Sequence, residues 1–139
     1  MYGLINRAVQ DVVVAQGGEQ SWRMVCEKAG LDTSLFIAFE QYPDAQTYAL
    51  VGAASEVLGK TPASLMEEIG AYWAKFTVQQ GYGHLFDMAG NSFQQVLHEL
   101  NNIHARLMVT LPNLRPPSFE CVEREDGAIM LRYYSERPG

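Results

Sequence analysis

Residues 93–137 read FQQVLHELNNIHARLMVTLPNLRPPSFECVEREDGAIMLRYYSER, and the period of the apolar side chains changes half-way along. Phe93, Val96, Leu97, Leu100, Ile103, His104, Leu107 and Leu111 recur at three- and four-residue steps, the spacing of one helix face. Asn91 stands where a helix cap is needed, with Gln94 three residues on. Pro112 and then Pro116–Pro117 forbid further helix, because proline lacks the N–H and clashes with the preceding turn. Beyond them the period is two. Asp126–Gly127 supplies the turn of a hairpin between residues 118–124 and 128–137.

Upstream of this stretch the chain reads as helices. Residues 1–17 carry a stripe of Leu4, Ile5, Ala8, Val9, Val12 and Val13, ended by Gly17–Gly18. Residues 19–29 read as a short helix with Trp22, Val25 and Cys26 inward, and residues 31–39 as another. Asp44 is placed to cap a helix carrying Tyr48, Val51, Ala54, Val57 and Leu58, with Gly59 just past its end. Thr61–Pro62 is a strong start signal, a cap followed by proline at the first helical position. Leu65, Ile69, Tyr72, Trp73 and Phe76 follow at helical spacing, and Gly81-Tyr82-Gly83 breaks the pattern. The fold class is α+β: a helical body with C-terminal antiparallel strands. A lone hairpin is marginal in water, so this one must pack tightly on the helices or belong with further strands.

Composition excludes several classes. With Lys+Arg 10 and Asp+Glu 16, the net charge of the 139 residues is −6, which argues against nucleic acid and anionic membrane surfaces. Apolar residues make up 47%, enough for a core and too many for a disordered chain. No apolar run approaches the roughly 20 residues that span a bilayer. The N-terminal MYGLINRAVQD is not a secretory signal. Cys26 and Cys121 are too few and too far apart for a zinc site or a disulfide scaffold. A cytoplasmic protein is expected.

Two constellations remain that carry chemistry. Of the three histidines, His98 falls with Asn101, Asn102 and Ala105 on the polar side of its helix, and His84 in a glycine-rich loop. Only His104 lies on the apolar stripe. A buried imidazole wants a carbonyl, a carboxylate, water or a metal. No second ligand sits three or four residues away on that face, so a protein-only metal site is not expected. Two readings stay open: a satisfied core histidine, or the axial ligand of a haem, whose porphyrin supplies four nitrogens itself. The second constellation is the last strand, where Ile129, Leu131, Tyr133, Ser135 and Arg137 alternate onto one face. That face begins apolar and ends in three hydrogen-bond donors, which suits an amphipathic ligand with carboxylates at one edge. A strand emerging into solvent gives the same pattern. No dinucleotide fingerprint, phosphate-binding loop or nucleophile elbow is present.

At these residues the chain resembles the H-NOX domain, the haem nitric oxide/oxygen-binding sensor of soluble guanylate cyclase and of bacterial stand-alone proteins. The stretches that carry the resemblance are MYGLIN, TYALVGAASEVLG at 47–59, LHELNNIHARL around His104, LRPPSFEC at 114–121 and Tyr133-x-Ser135-x-Arg137. The resemblance implies haem b (iron protoporphyrin IX), with His104 as proximal ligand. It implies that Tyr133, Ser135 and Arg137 hold the propionates, that Pro117 presses on the porphyrin, and that Leu4 and Trp73 line the cofactor. It implies one H-NOX domain over 1–139, with a distal helical subdomain over 1–60 and a proximal one over 61–139. Family members continue past the tyrosine–serine–arginine motif with a helix and two strands, so the resemblance implies a C-terminally truncated domain.

The function implied is a gas sensor rather than an enzyme, taking nitric oxide and carbon monoxide. Its signal would go to a histidine kinase, a diguanylate cyclase or a guanylate cyclase. Oxygen-binding members have a distal donor network, and here Val9 and Trp73 stand at two of its positions. The third lies beyond Gly139. The resemblance therefore implies exclusion of oxygen, with release of His104 as the signal. Asp44 and Arg115 resemble a charge pair that bridges the subdomains in guanylate cyclase members, and a surface ion pair of little weight is the alternative. A haem-free helical adaptor or lipid-binding module is the competing reading. A haem peroxidase is disfavoured, because no distal histidine–arginine pair is recognisable.

Overall fold

The computed structural model describes residues 1–32, 35–77, 83 and 88–137. Gly81, Tyr82 and His84, expected in a glycine-rich break, lie outside them. The chain packs as two compact units, Met1–Phe76 and Thr77–Gly139.

The first unit is built on three helices, α1 (Gly3–Lys28), α2 (Asp44–Leu58) and α3 (Pro62–Thr77). The two N-terminal helices of the sequence reading meet at Gly18, whose φ of 73° and ψ of 179° interrupt α1. Glycine alone adopts that backbone without strain. The stripes close on one core of Val9, Val12, Val13, Trp22 and Val25 from α1, Leu50 and Ala54 from α2, and Leu65 and Ile69 from α3. On α2 the inward face is Thr47, Leu50, Ala53, Ala54 and Ser55. Tyr48, expected inward, is exposed. Thr47 Oγ1 donates to Asn6 Oδ1 at 2.7 Å, a buried polar tie between α2 and α1.

Two local expectations for this unit are corrected. Residues 31–39 contain no helix among those described. Leu35, Ile37 and Phe39 are exposed, while Phe36 is buried between Trp22 and Tyr42. The backbone there serves the N-terminus instead: the Gly3 N–H donates to the Glu40 carbonyl at 2.8 Å, and the Leu4 N–H to the Ala38 carbonyl at 2.9 Å. Asp44 is the first residue of α2 rather than its cap, which is Pro43. Its carboxylate pairs with the Met1 ammonium. Leu65 and Ile69 bury α3 in the α1–α2 core, and the first compact unit runs to Phe76. The Thr61 cap holds, since Thr61 Oγ1 accepts the Ser64 N–H at 3.2 Å.

Glu68 accepts from Lys60 Nζ at 2.5 Å and from Gln16 Nε2 at 2.6 Å. The Lys60 ammonium, and then the Gln16 amide, hold its carboxyl below the usual range.

The second unit contains α4 (Phe93–Thr110) and an antiparallel pair, β1 (Ser118–Glu123) and β2 (Ile129–Tyr134). Ser92 rather than Asn91 caps α4: its Oγ accepts the Gln95 N–H at 3.2 Å, and Gln95 Oε1 accepts the Asn91 N–H at 2.8 Å. The cap thus sits one residue later than expected, and the Gln95 side chain reaches back to the residue before it. Ile103 and Leu111 of the expected stripe are buried, whereas Phe93 is exposed. In the hairpin, Phe119 faces Tyr133 and Cys121 faces Leu131. Asp126 Oδ1 accepts the Ala128 N–H at 3.0 Å and Gly127 has φ 79°, which together form the turn read from Asp126–Gly127. β2 ends at Tyr134. Ser135 and Arg137 therefore lie past the strand and do not share its pleat with Tyr133.

Candidate functional site

The second unit gathers five of the residues singled out by sequence. His104 is half-buried on α4 and stacks on Phe119 of β1, with ring centroids 5.8 Å apart and planes 28° apart. Phe119 in turn meets Tyr133 edge-on at 5.6 Å. His104 Nδ1 is buried without a hydrogen-bond partner. Burial pushes the imidazole below its ordinary value of 6.5, and the nearby Pro117 carbonyl pulls the other way without reaching hydrogen-bond geometry at Nδ1. The neutral ring is the metal-ligating form. Leaving a buried polar atom unpaired costs about 1–3 kcal/mol, so this ring is a candidate for holding a ligand.

The C-terminal motif is held by its own contacts. Ser135 Oγ accepts the Arg137 N–H at 3.0 Å, and Arg137 Nη1 donates to the Arg115 carbonyl at 2.6 Å. Arg137 is half-buried, whereas Tyr133, Tyr134 and Ser135 are exposed. Leu4 and Trp73 belong to the first unit. Leu4 is half-buried at the start of α1, and Trp73 packs against the core that contains Val9.

The polar side of α4 does work that the sequence reading did not assign. Asn101, read as lying on the polar side of its helix, is bound to the backbone of Phe119 at both its N–H and its carbonyl. Cys121 Sγ donates to the Leu97 carbonyl at 3.2 Å, and His98 pairs with Glu123 at 3.4 Å. The signal available was Asn101 three residues before His104, one turn away on a face that must meet the following strand. Among the described residues no group of three His, Cys, Asp or Glu is placed to hold a metal ion. A single neutral imidazole suits a cofactor that brings its other ligands.

A family model described as haem-NO-binding matches residues 2–139. The chain belongs to this family, the H-NOX domains. It is similar to the soluble guanylate cyclase gcy-34 of Caenorhabditis elegans, 32% identical over 142 residues that cover 100% of this chain and 21% of that protein. It is also similar to the soluble guanylate cyclase 89Db of Drosophila melanogaster, 27% identical over 139 residues, again 100% of this chain and 21% of that protein. The chain thus spans about a fifth of the length of these curated relatives.

Among solved structures, an H-NOX protein from S. oneidensis in the Fe(II)NO ligation state superposes with a TM-score of 0.86 at 18% identity, over 98% of this chain and 75% of that one. The unliganded Fe(II) H-NOX protein from K. algicida gives 0.85 at 17%, over 98% and 74%. At these identities the likeness establishes the α+β H-NOX fold. An H-NOX domain is a haem-based gas-sensing domain, not itself catalytic. The residues of this chain fit that group: one neutral imidazole with a buried, unpartnered Nδ1, hydroxyls on Tyr133 and Ser135, and the Arg137 guanidinium. No described helix is long and apolar enough to cross a membrane.

Proposed function

We propose that this H-NOX domain holds haem b through His104, takes nitric oxide and carbon monoxide at ferrous iron, and passes the event to a signalling partner. The observation that carries the reading is the buried, unpartnered Nδ1 on a ring kept neutral by burial. When bound, ferrous haem would supply an iron able to take a diatomic gas and to be held by an imidazole. His104 offers that imidazole, oriented by Phe119. Tyr133, Ser135 and Arg137 offer donors to the two carboxylates, Arg137 through a guanidinium fork. Pro117, whose backbone lies beside the imidazole, would contact the haem. By resemblance, Leu4 and Trp73 are further cofactor-lining residues, with residues 1–60 as the distal subdomain and 61–139 as the proximal one.

Gas choice follows from donors. Of the three gases, oxygen would depend most on a hydrogen-bond donor in the site, and nitric oxide and carbon monoxide would depend on one far less. Val9 cannot donate, and Trp73 has a single N–H. The site should therefore exclude oxygen. Because α4 carries His104 and is tied to β1 by Asn101, a change at the imidazole is passed to the hairpin. A histidine kinase, a diguanylate cyclase or a cyclase domain of the kind found in the relatives would receive it. The test is absorbance of the haem-loaded, reduced protein. The Soret band should move with nitric oxide and with carbon monoxide, and not on brief exposure to air short of oxidation. A stable oxygen complex would overturn the gas assignment. A chain that stays colourless with haem would favour the adaptor reading.

A further inference from the structure

Met88 stands just before α4, and its sulfur is bonded to that helix: Arg106 Nη1 donates to Met88 Sδ at 3.5 Å. The next residue, Ala89, is buried against Ile103, with Val96 and Leu107 packed around the pair. The Asn91 N–H donates to Gln95 Oε1 at 2.8 Å. Residues 88–91 are thus fastened to α4 by one apolar and two polar contacts. The thioether is the weaker of the two polar ones, because sulfur is a poor hydrogen-bond acceptor.

The same sulfur is open to reagents. Met88 is 62% exposed, while Met24, Met66, Met108 and Met130 lie between 39% and 52%. A hydroperoxide converts an accessible thioether to the sulfoxide. The sulfur gives a lone pair to one peroxide oxygen, so the S–O bond forms as the O–O bond breaks. Sulfur is oxidised by two electrons and the peroxide is reduced. The proton on the transferred oxygen passes to the other oxygen, which leaves as water or an alcohol. In a packed core this change is disruptive. At Met88 it leaves the core untouched and offers Arg106 an oxygen acceptor in place of sulfur, and a hydrogen bond from a guanidinium to oxygen is charge-assisted. The unbranched methionine side chain has the rotatable bonds to re-aim that oxygen.

We infer that Met88 is an oxidant-responsive site, where conversion to the sulfoxide by a hydroperoxide tightens the hold of Arg106 on the segment leading into α4. This goes beyond gas binding and does not depend on haem. Arg106 follows His104 by two residues on α4, so the oxidation state of one surface sulfur is imposed on the helix that carries the candidate ligand. Sulfoxide reductases, one for each epimer, reverse the change.

The full chain, prepared without haem so that no iron consumes the peroxide, tests this. Wild type, Met88→Leu and Arg106→Ala are treated alike with hydrogen peroxide, and peptide mass spectrometry locates the added oxygens. Met88 should gain one oxygen in wild type and in Arg106→Ala. Exchange of the Asn91 amide hydrogen should then slow by about threefold in wild type, the scale of one charge-assisted contact at the surface. It should not slow in Met88→Leu, where the other methionines are oxidised as before. Nor should it slow in Arg106→Ala, where the new oxygen meets no guanidinium. Reductases for both epimers should return the wild-type rate to its starting value. A Met88 that stays a thioether while Met24 and Met66 are oxidised would overturn the inference. So would exchange in oxidised wild type that is unchanged or faster, or a slowing that survives in either variant.

Discussion

Asn101 on α4 and Phe119 on β1 exchange two hydrogen bonds: Asn101 Nδ2 donates to the Phe119 carbonyl at 2.7 Å, and the Phe119 N–H donates to Asn101 Oδ1 at 2.9 Å. A side-chain amide here imitates a neighbouring strand. It satisfies the outer edge of β1 at the residue that stacks on His104. Asn101→Ala removes both bonds from a partly solvated site, so the second unit should lose about 1–2 kcal/mol. The urea midpoint of Asn101→Ala reads this directly, and a midpoint equal to wild type would show that water replaces the clamp at no cost.

The titration of His104 makes stability pH-dependent. Burial lowers its folded pKa below 6.5, so the unfolded chain binds the proton first as the solution is acidified. The stabilisation is present above 6.5, is lost as the pH falls through that value, and stops changing below the lower folded pKa. Haem-free wild type should therefore unfold at less urea at pH 5.5 than at pH 7.5. His104→Gln should lose that part of the slope. Identical slopes in the two proteins would mean that another group carries the acid dependence.

α3 joins the first unit through Leu65, which is fully buried. Leu65→Ala should cost about 2–5 kcal/mol, the range for a truncated core leucine. A cost under about 1 kcal/mol would mean that α3 is only loosely attached and would return the unit boundary to the Thr61–Pro62 start signal.

Tyr72 gives an alkaline counterpart to His104. Its hydroxyl donates to Asp11 Oδ2 at 2.6 Å. Burial first, and then the Asp11 carboxylate, push its pKa up to about 12. The folded state keeps this proton longer than the unfolded chain, so the stabilisation is present below 10 and is lost as the pH rises toward 12. Spectrophotometric titration should show one phenol fewer ionising near 10 than in unfolded protein, and Tyr72→Phe should abolish that difference.

What was legible in the sequence follows from what each signal depends on. Gly59, Thr61–Pro62 and Asp126–Gly127 were read correctly because caps and tight turns are decided by a few adjacent residues. His104 stood out because one polar residue on an apolar stripe is visible in any helical projection. Residues 31–39 misled because Leu35, Phe36, Ile37 and Phe39 are apolar at mixed spacing, while their backbone is committed to residues 3 and 4, far away in the chain. The role of Asn101 was invisible for a similar reason: its partner is a backbone edge 18 residues on, and polar residues on a helix read as solvated until the strand beside them is seen. Ser135 and Arg137 were identified by motif but misplaced by alternation, because the pairing that sustains the pleat ends at Tyr134.

The central claim is that His104 is the sole protein ligand to haem iron, and the ferrous absorbance spectrum of haem-loaded His104→Gly tests it most directly. The substitution removes the imidazole and leaves an apolar slot beside Phe119. The account predicts that the wild-type Soret band is lost in this variant and returns when free imidazole is added. A His104→Gly protein with unchanged haem content and an unchanged ferrous spectrum, without imidazole, would contradict it and assign the iron to another residue.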